Sequence, residues 1–303
     1  MHLIKVPHDN LRRAAWSGRT AHGLWKRLSA ERKRPILPAP HRPHPAGWAD
    51  RGLFAAWLGH STVLLKIDGV TVLTDPVLGK KVGIRFGPMT VGLKRIVEPA
   101  LRVPDLPKID VILLSHAHMD HFDIRSLRHL EDRGTTVITA SKTSDLLRVR
   151  RYGSVQELAW GGRARAGGLD IRAFPVNHWG ARLRRDNYRG YNGYTIESGR
   201  YRLVFGGDTA ATDSFRGLRS SRRFDLAIMP VGAYDPWIRY HCTPEQAWQM
   251  ANEAGAEAFL PVHHQTFALS REPYLEPIER VFSAAGRNPN RVAVRSIGQE
   301  FHG

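Results

Sequence analysis

Apolar residues in this chain fall into short runs, and the spacing inside each run separates strands from helices. Runs at 53–58, 61–67 and 70–74 are dense in apolar and β-branched residues and too short for helices, so they predict strands. Only Asp68-Gly69 separates the second run from the third, and this dipeptide favours the left-handed backbone of a two-residue hairpin turn. Ile109-Asp110-Val111-Ile112-Leu113-Leu114 predicts a buried strand. A helix near 123–133, a strand at 135–139 and a helix at 142–151 follow, then strands at 155–159, 169–176, 191–197 and 201–205. Residues 225–230 form another buried run. Thr243-Pro244-Glu245-Gln246 then opens a helix over 244–254, with Thr as cap, Pro in the first turn and Gln in the capping-box position. A strand at 257–262, a helix at 273–285 and a last strand near 291–296 complete the pattern, and no internal repeat is present.

Two stretches lack this order. Residues 1–50 are basic and proline-rich, most densely over 35–45, and predict an extended arm with a short helix around 11–30. Residues 51–303 then read as a single domain. Within it, 76–108 carries many Gly, Pro and Lys residues and predicts a long loop bordering a site. At 303 residues the chain has enough length for a large core. No apolar stretch approaches the ~20 residues of a spanning helix. The first ten residues contain no apolar segment of signal-peptide length. With Cys242 as the only cysteine, no intrachain disulfide can form. These features lead us to expect a cytoplasmic protein, with or without peripheral contact to a membrane.

The candidate chemistry sits where strands end. Residues 115–123 read Ser-His-Ala-His-Met-Asp-His-Phe-Asp, directly after the 109–114 run. Imidazole nitrogen and carboxylate oxygen are ligands for zinc-class divalent metals. Alternation along the strand end turns His116 and His118 the same way, while Asp120 and His121 lie past the turn. Three later strands end similarly: 169–176 before Asn177-His178-Trp179, 201–205 before Gly206-Gly207-Asp208-Thr209, and 258–262 before His263-His264. Layered α/β folds place their sites at such strand ends. From the residues alone, His263 and His264 compete for one role. His60 and His241 are open between site and scaffold, and Asp123 and Asp235 read as turn formers. Buried packing is the plain role for Cys242.

The His-x-His-x-Asp-His motif, with a later His, an Asp in a Gly-Asp-Thr turn and a final His, resembles the metallo-β-lactamase superfamily. Within it the chain is most similar to the branch of N-acyl-phosphatidylethanolamine phospholipase D-like (UlaG-like) hydrolases. The supporting segments are 57–64, 73–76, 115–123, 178–179, 207–209, 230–236, 241–247 and 263–269. The resemblance implies a four-layer αβ/βα sandwich and two divalent metal ions, zinc first, with manganese, iron and nickel as alternatives. It implies that His116, His118 and His178 hold one ion and that Asp120, His121 and His263 hold the other. Asp208 bridges them, and a hydroxide between the ions is the nucleophile. Asp75 and His60 orient ligands from behind. Asp120, Asp208 and His241 are the residues expected to act in catalysis. The chain departs from the branch at Ala117, Met119, Ala210-Ala211 and His264, all of them pocket-wall positions that bear on the substrate.

The formal charge of +17 at neutral pH suits anionic partners. Its dense patches are Arg12-Arg13, Lys26-Arg27, Arg32-Lys33-Arg34, 148–151, 182–185 and 216–223. Arg182 follows His178 closely and is a candidate to hold a substrate phosphate, as His264 is to line the pocket. The expected substrate is a small molecule or lipid with an anionic group, with a membrane surface as a further partner and nucleic acid ranked below both. Phospholipid-like phosphodiesters come first and a phosphorylated lactone or carboxylic ester second. A basic nucleic-acid or membrane binder with a vestigial site is the reading from another class. Deleting 1–45 separates that last reading from catalysis.

Overall fold

A computed structural model describes residues 34–86, 89–183 and 185–303 of the chain. The helix expected around 11–30, the basic pairs before residue 34 and Arg184 lie outside the described residues.

Fifteen strands are present: β1 (Leu53–Gly59), β2 (Thr62–Ile67), β3 (Val70–Thr74), β4 (Lys81–Phe86), β5 (Met89–Lys94), β6 (Val111–Leu114), β7 (Thr136–Ala140), β8 (Ser154–Leu158), β9 (Arg163–Ala166), β10 (Leu169–Phe174), β11 (Gly193–Glu197), β12 (Arg202–Phe205), β13 (Phe224–Pro230), β14 (Ala256–Val262) and β15 (Glu300–His302). Among the described residues, three helices join them: α1 (Ile124–His129), α2 (Pro244–Ala254) and α3 (Glu276–Ala285). One sheet runs β15-β1-β2-β3-β6-β7-β8 and the other β14-β13-β12-β11-β10-β9. The β2–β3 turn is closed by Asp68 and Gly69, both at positive φ, as the sequence predicts.

Side-chain parity divides β12, β13 and β14 of the second sheet between two cores. Leu203 and Phe205, Leu226 and Ile228, and Leu260 and Val262 join the large core that includes the first sheet. Val204, Ala227, Met229 and Phe259 point the other way, into a core with Ala247, Trp248 and Ala251 of α2 and Ile278 and Val281 of α3. Leu127 of α1 packs into the large core, and Leu146 and Leu147 pack against it. The result is the expected layered α/β sandwich.

The structure corrects several expected elements. Residues 142–151 form two short 3₁₀ turns, Ser144–Leu146 and Val149–Arg151, in place of a helix. The backbone N–H groups of Lys142, Thr143 and Ser144 donate to the Glu157 carboxylate, and Lys142 is left-handed, so the first turn of a helix never forms. The last strand is β15, paired to β1, and 292–294 makes a single bridge at Val292. Gln299 Oε1 accepts from the N–H groups of Arg295 and Ser296, which removes them from any ladder. The Arg-Ala-Arg-Ala strand β9 went unpredicted, although its alternation is strict and matches its burial. Part of the arm is built into the domain: Leu37 bridges Val97, and Trp48 is buried with its indole N–H on Glu300.

The expected long loop contains the β4–β5 hairpin, where Gly83 faces Gly92. A Cβ on Gly83 would lie 2.2 Å from the Val91 carbonyl oxygen, so glycine is needed for the two backbones to meet. The hairpin is rooted by Arg95, a fully buried guanidinium that donates to the carbonyls of Gly79 (2.8 Å), Val97 (3.3 Å) and Val77. Arg95→Leu leaves these buried acceptors without a partner. We expect it to destabilise the fold by about 3 kcal/mol or more, read as a lower denaturant midpoint; an unchanged midpoint would show that the hairpin does not depend on it.

Candidate metal centre

Six strands from both sheets end around one point. β1 leads to His60, β3 to Asp75, β6 to the 115–123 loop, β10 to His178, β12 to Asp208 and β14 to His263. Three of these residues, His60, Asp75 and His263, have left-handed backbones (φ 54, 32 and 65°), which side chains other than glycine adopt only when the surroundings enforce it. The enforcement is visible. The His60 N–H donates to Thr266 Oγ1 (2.6 Å), while its carbonyl accepts from Trp57 Nε1 (2.7 Å) and from the His263 N–H (3.0 Å). Gly207 also needs its glycine: a Cβ there would lie 2.8 Å from Ser115 Cβ and from the Asn192 carbonyl oxygen.

The outer ring nitrogens of His121, His116 and His178 are fixed by protein groups, whereas His263 Nδ1 is buried without a hydrogen-bond partner. Asp75 accepts from His121 Nδ1 (2.7 Å) and from the Ser115 N–H (2.7 Å) and Oγ (2.5 Å). Ser115 Oγ also touches His116 Nδ1 (2.8 Å), and His178 Nδ1 meets the Tyr240 carbonyl (2.9 Å). The opposite nitrogens turn inward. His116 Nε2 and His178 Nε2 lie 2.8 and 3.3 Å from His118 Nδ1. On the other side, His121 Nε2 and His263 Nε2 lie 3.0 and 3.1 Å from Asp208 Oδ2, and His60 Nε2 is 3.1 Å from Asp120 Oδ2. Among the described residues, His121 Nε2, His263 Nε2, His241 Nδ1 and Asp208 Oδ1 are buried with no hydrogen-bond partner.

This donor set fits metal ions. His116, His118, His178 and Asp208 offer ligand atoms that all lie within 4.8 Å of one another, and so do His60, Asp120, His121 and His263. Imidazoles tied at one nitrogen by a carboxylate, hydroxyl or carbonyl, with the other turned toward a common centre, are what metal ligation requires. Burial pulls His116 and His178 well below the usual imidazole value, and His118 to about 4. Burial also lowers His121 and His263, but the Asp208 and Asp120 carboxylates outweigh it, holding His121 well above its usual value and His263 at about 9. Burial would raise Asp120 and Asp208, yet the surrounding imidazoles, His121 first, hold both well below the carboxylate range. The cluster is therefore built for cations.

The other candidates have distinct placements. His241 joins the cluster, with Nδ1 3.9 Å from Asp208 Oδ2. His264 does not: it is buried against Trp57, ring centroids 4.4 Å apart. Arg182 Nη1 donates to the carbonyls of Ala117 (3.1 Å) and Phe122 (2.7 Å), bracing the ligand loop from outside. Asp123 caps α1, and Cys242 is buried with its thiol on the Pro230 carbonyl. Asp235 pairs with Arg271 at 3.9 Å. Sequence reasoning missed Ser115, Thr266 and the Tyr240 carbonyl, and a backbone carbonyl leaves no trace in residue identity.

His60 touches Asp120 and no other carboxylate, and burial holds its ring neutral, at a pKa of about 3. Asn tolerates the left-handed backbone, so His60→Asn removes the ring without straining the turn. We expect metal affinity to fall by about 10–100-fold in competition against a chromophoric chelator, and equal affinity would remove His60 from any role in orienting Asp120.

A two-sheet sandwich with paired His/Asp donor sets at its strand ends defines a metal-dependent hydrolase of the metallo-β-lactamase fold. A family model described as a β-lactamase superfamily domain matches residues 70–264, and the chain belongs to this superfamily. It is 32% identical over 309 aligned residues to an uncharacterized protein of Mycobacterium tuberculosis, covering 98% of this chain and 79% of that protein. It is 30% identical over 251 residues to N-acyl-phosphatidylethanolamine-hydrolyzing phospholipase D 1 of Caenorhabditis elegans, covering 77% of this chain and 70% of that one. Among solved structures, a metallo hydrolase of Ignicoccus hospitalis aligns with a TM-score of 0.60 at 21% identity, covering 84% of this chain and 99% of that chain.

Proposed function

We propose that this hydrolase is a phosphodiesterase of phospholipase D type that acts on a phospholipid-like substrate with two zinc-class ions. One observation carries the two-ion reading. The Asp208 carboxylate stands between the donor sets, with Oδ2 at 3.0 and 3.1 Å from His121 and His263 and at 3.8 and 3.9 Å from His178 and His116. The similarity to the nematode phospholipase supports the phosphodiester and the lipid. In this reading His116, His118 and His178 hold one ion, Asp120, His121 and His263 the other, and Asp208 serves both. Bound there, such ions lower the pKa of water and neutralise charge on a phosphoryl group.

The chain's own groups do the rest. Asp75 and Ser115 fix the rings of His121 and His116, so the ligands do not reorganise during the reaction. His118 and Asp120 are the partly exposed members and mark the side from which substrate enters. Burial keeps His241 uncharged, at a pKa of about 4, so its contribution to the leaving oxygen is a neutral N–H.

The test pairs elemental analysis of the purified protein with turnover of bis(p-nitrophenyl) phosphate, with and without chelator. We expect about two zinc-class ions per chain and cleavage that chelator abolishes, followed by cleavage of N-acylated phosphatidylethanolamine. Two metals with no diester cleavage would replace the phosphodiester with an ester or lactone. A chain that takes up no metal would overturn the centre.

A further inference from the structure

We infer that the rim of the metal centre is a docking surface for an anionic phospholipid bilayer; this rests on the lipid-substrate reading above. Large apolar side chains are ordinarily covered, and the rim leaves several bare. Trp237, Ile238 and Tyr240 are 48, 46 and 40% exposed, Leu183 is 54% exposed, and Ile84 and Val91 of the β4–β5 hairpin are 48 and 47% exposed. These residues lie on three separate segments, and each segment is rooted at the metal cluster. The carbonyl of Tyr240 holds His178, and its ring lies 4.3 Å from that of Trp179, which in turn lies 4.5 Å from His118. Leu183 follows Arg182, whose guanidinium holds the ligand loop at Ala117 and Phe122. Arg95 pins the hairpin at Gly79 and lies 5.1 Å from the ring of Phe267, whose ring is 5.2 Å from His60.

Charge selects the occupant. Lys80, Lys81, Arg185 and Arg239 are exposed beside the apolar residues and have no ion-pair partner among the described residues. Nearby acids are engaged: Asp186 holds Arg189 (2.7 Å) and the Leu183 N–H (2.6 Å), and Asp235 faces Arg271. The surplus on the rim is positive, complementary to anionic headgroups. Residues 237–240 set an indole, an aliphatic chain, a guanidinium and a phenol side by side, the mixture that partitions into the headgroup layer. Exposed apolar residues on three separate segments, each of which also carries an exposed cation, suit a fluid surface better than a single protein groove. A bound bilayer would deliver lipid to His118 and Asp120 without its passage through water.

The test uses the full chain treated with chelator, so that binding is measured without hydrolysis. Sucrose-loaded vesicles of phosphatidylcholine alone and of phosphatidylcholine with phosphatidylglycerol are sedimented with the protein. We expect co-sedimentation with the anionic vesicles that weakens as salt rises. Trp237→Ser with Ile238→Ser, and separately Leu183→Ser, should weaken it by about tenfold or more. Their thermal midpoints, and turnover of soluble diester by the metal-loaded enzyme, should stay unchanged. Absence of partitioning, or variants that partition like wild type, would overturn the surface. So would parallel loss of soluble turnover, or a dimer in light scattering that these substitutions dissociate. Vesicle binding without phospholipid cleavage would defeat the proposed activity and leave the surface standing. Cleavage of detergent-dispersed phospholipid by a chain that ignores vesicles would do the reverse.

Discussion

Asp208→Ala yields a folded protein whose turnover is lower by at least about a thousandfold, the scale on which loss of one preorganised charge-stabilising group is felt. The argument rests on position. Asp208 Oδ2 lies within 4 Å of inward ring nitrogens from both donor sets, those of His116 and His178 on one side and His121 and His263 on the other. In the proposed two-ion reading, each ion would lose a ligand without it, and the two would lose their common one. The fold survives because nothing in the scaffold hangs on the side chain: Oδ1 has no hydrogen-bond partner, and Gly207 shapes the turn through its backbone. Removing the carboxylate takes away the first of the attractions that raise His121 and His263, while Asp120 stays 3.8 and 3.7 Å from their Nε2 atoms, so neither ring is left without an acid partner. Elemental analysis should show lower metal content, and circular dichroism an unchanged spectrum. His121→Ala should behave alike. Wild-type turnover in either variant would sink the assigned centre.

Asp75→Ala has the second largest effect, and on a different quantity. The carboxylate is fully buried and accepts the Ser115 N–H, the Ser115 hydroxyl and His121 Nδ1. Truncation leaves a main-chain donor and a ring nitrogen unpaired in the interior, at a cost of about 3–5 kcal/mol. Denaturant unfolding of the metal-free protein reads this directly. Asp75→Asn isolates the other role. It keeps the volume and loses the charge, so it should weaken metal binding by about 10–100-fold at a smaller cost in stability. If Asp75→Asn matches wild type in chelator competition, then Asp75 is scaffold alone.

Much of this site is legible in the residues because each ligand follows an apolar run that must be a strand, and strand ends are where side chains leave the sheet. The capping box at Thr243 and Gln246 forms as its spacing predicts. Other elements hide for identifiable reasons. The Gly83–Gly92 hairpin reads as loop because glycine signals turns as well as close strand approach. The 142–151 helix fails through a long-range acceptor, Glu157, that no local pattern contains. The adjacency of His60 to Asp120 is set by β1 and β6 lying in one sheet with two strands between them, a matter of topology. Arg182, expected to face substrate, also donates to the Ala117 and Phe122 carbonyls of the ligand loop, a main-chain partnership that sequence distance from His178 does not reveal.

The sides from which the ligands arrive have a mechanical consequence. His116, His118, Asp120 and His121 hang from the first sheet, while His178, Asp208 and His263 hang from the second. A cation held by both groups is a rivet through the seam of the sandwich, and its binding energy becomes resistance to the two sheets parting. Loosening the seam anywhere lowers metal affinity, and stripping the metal lowers the melting point of the whole domain. A substitution remote from the centre that opens the seam should therefore first be noticed as an enzyme that needs more metal.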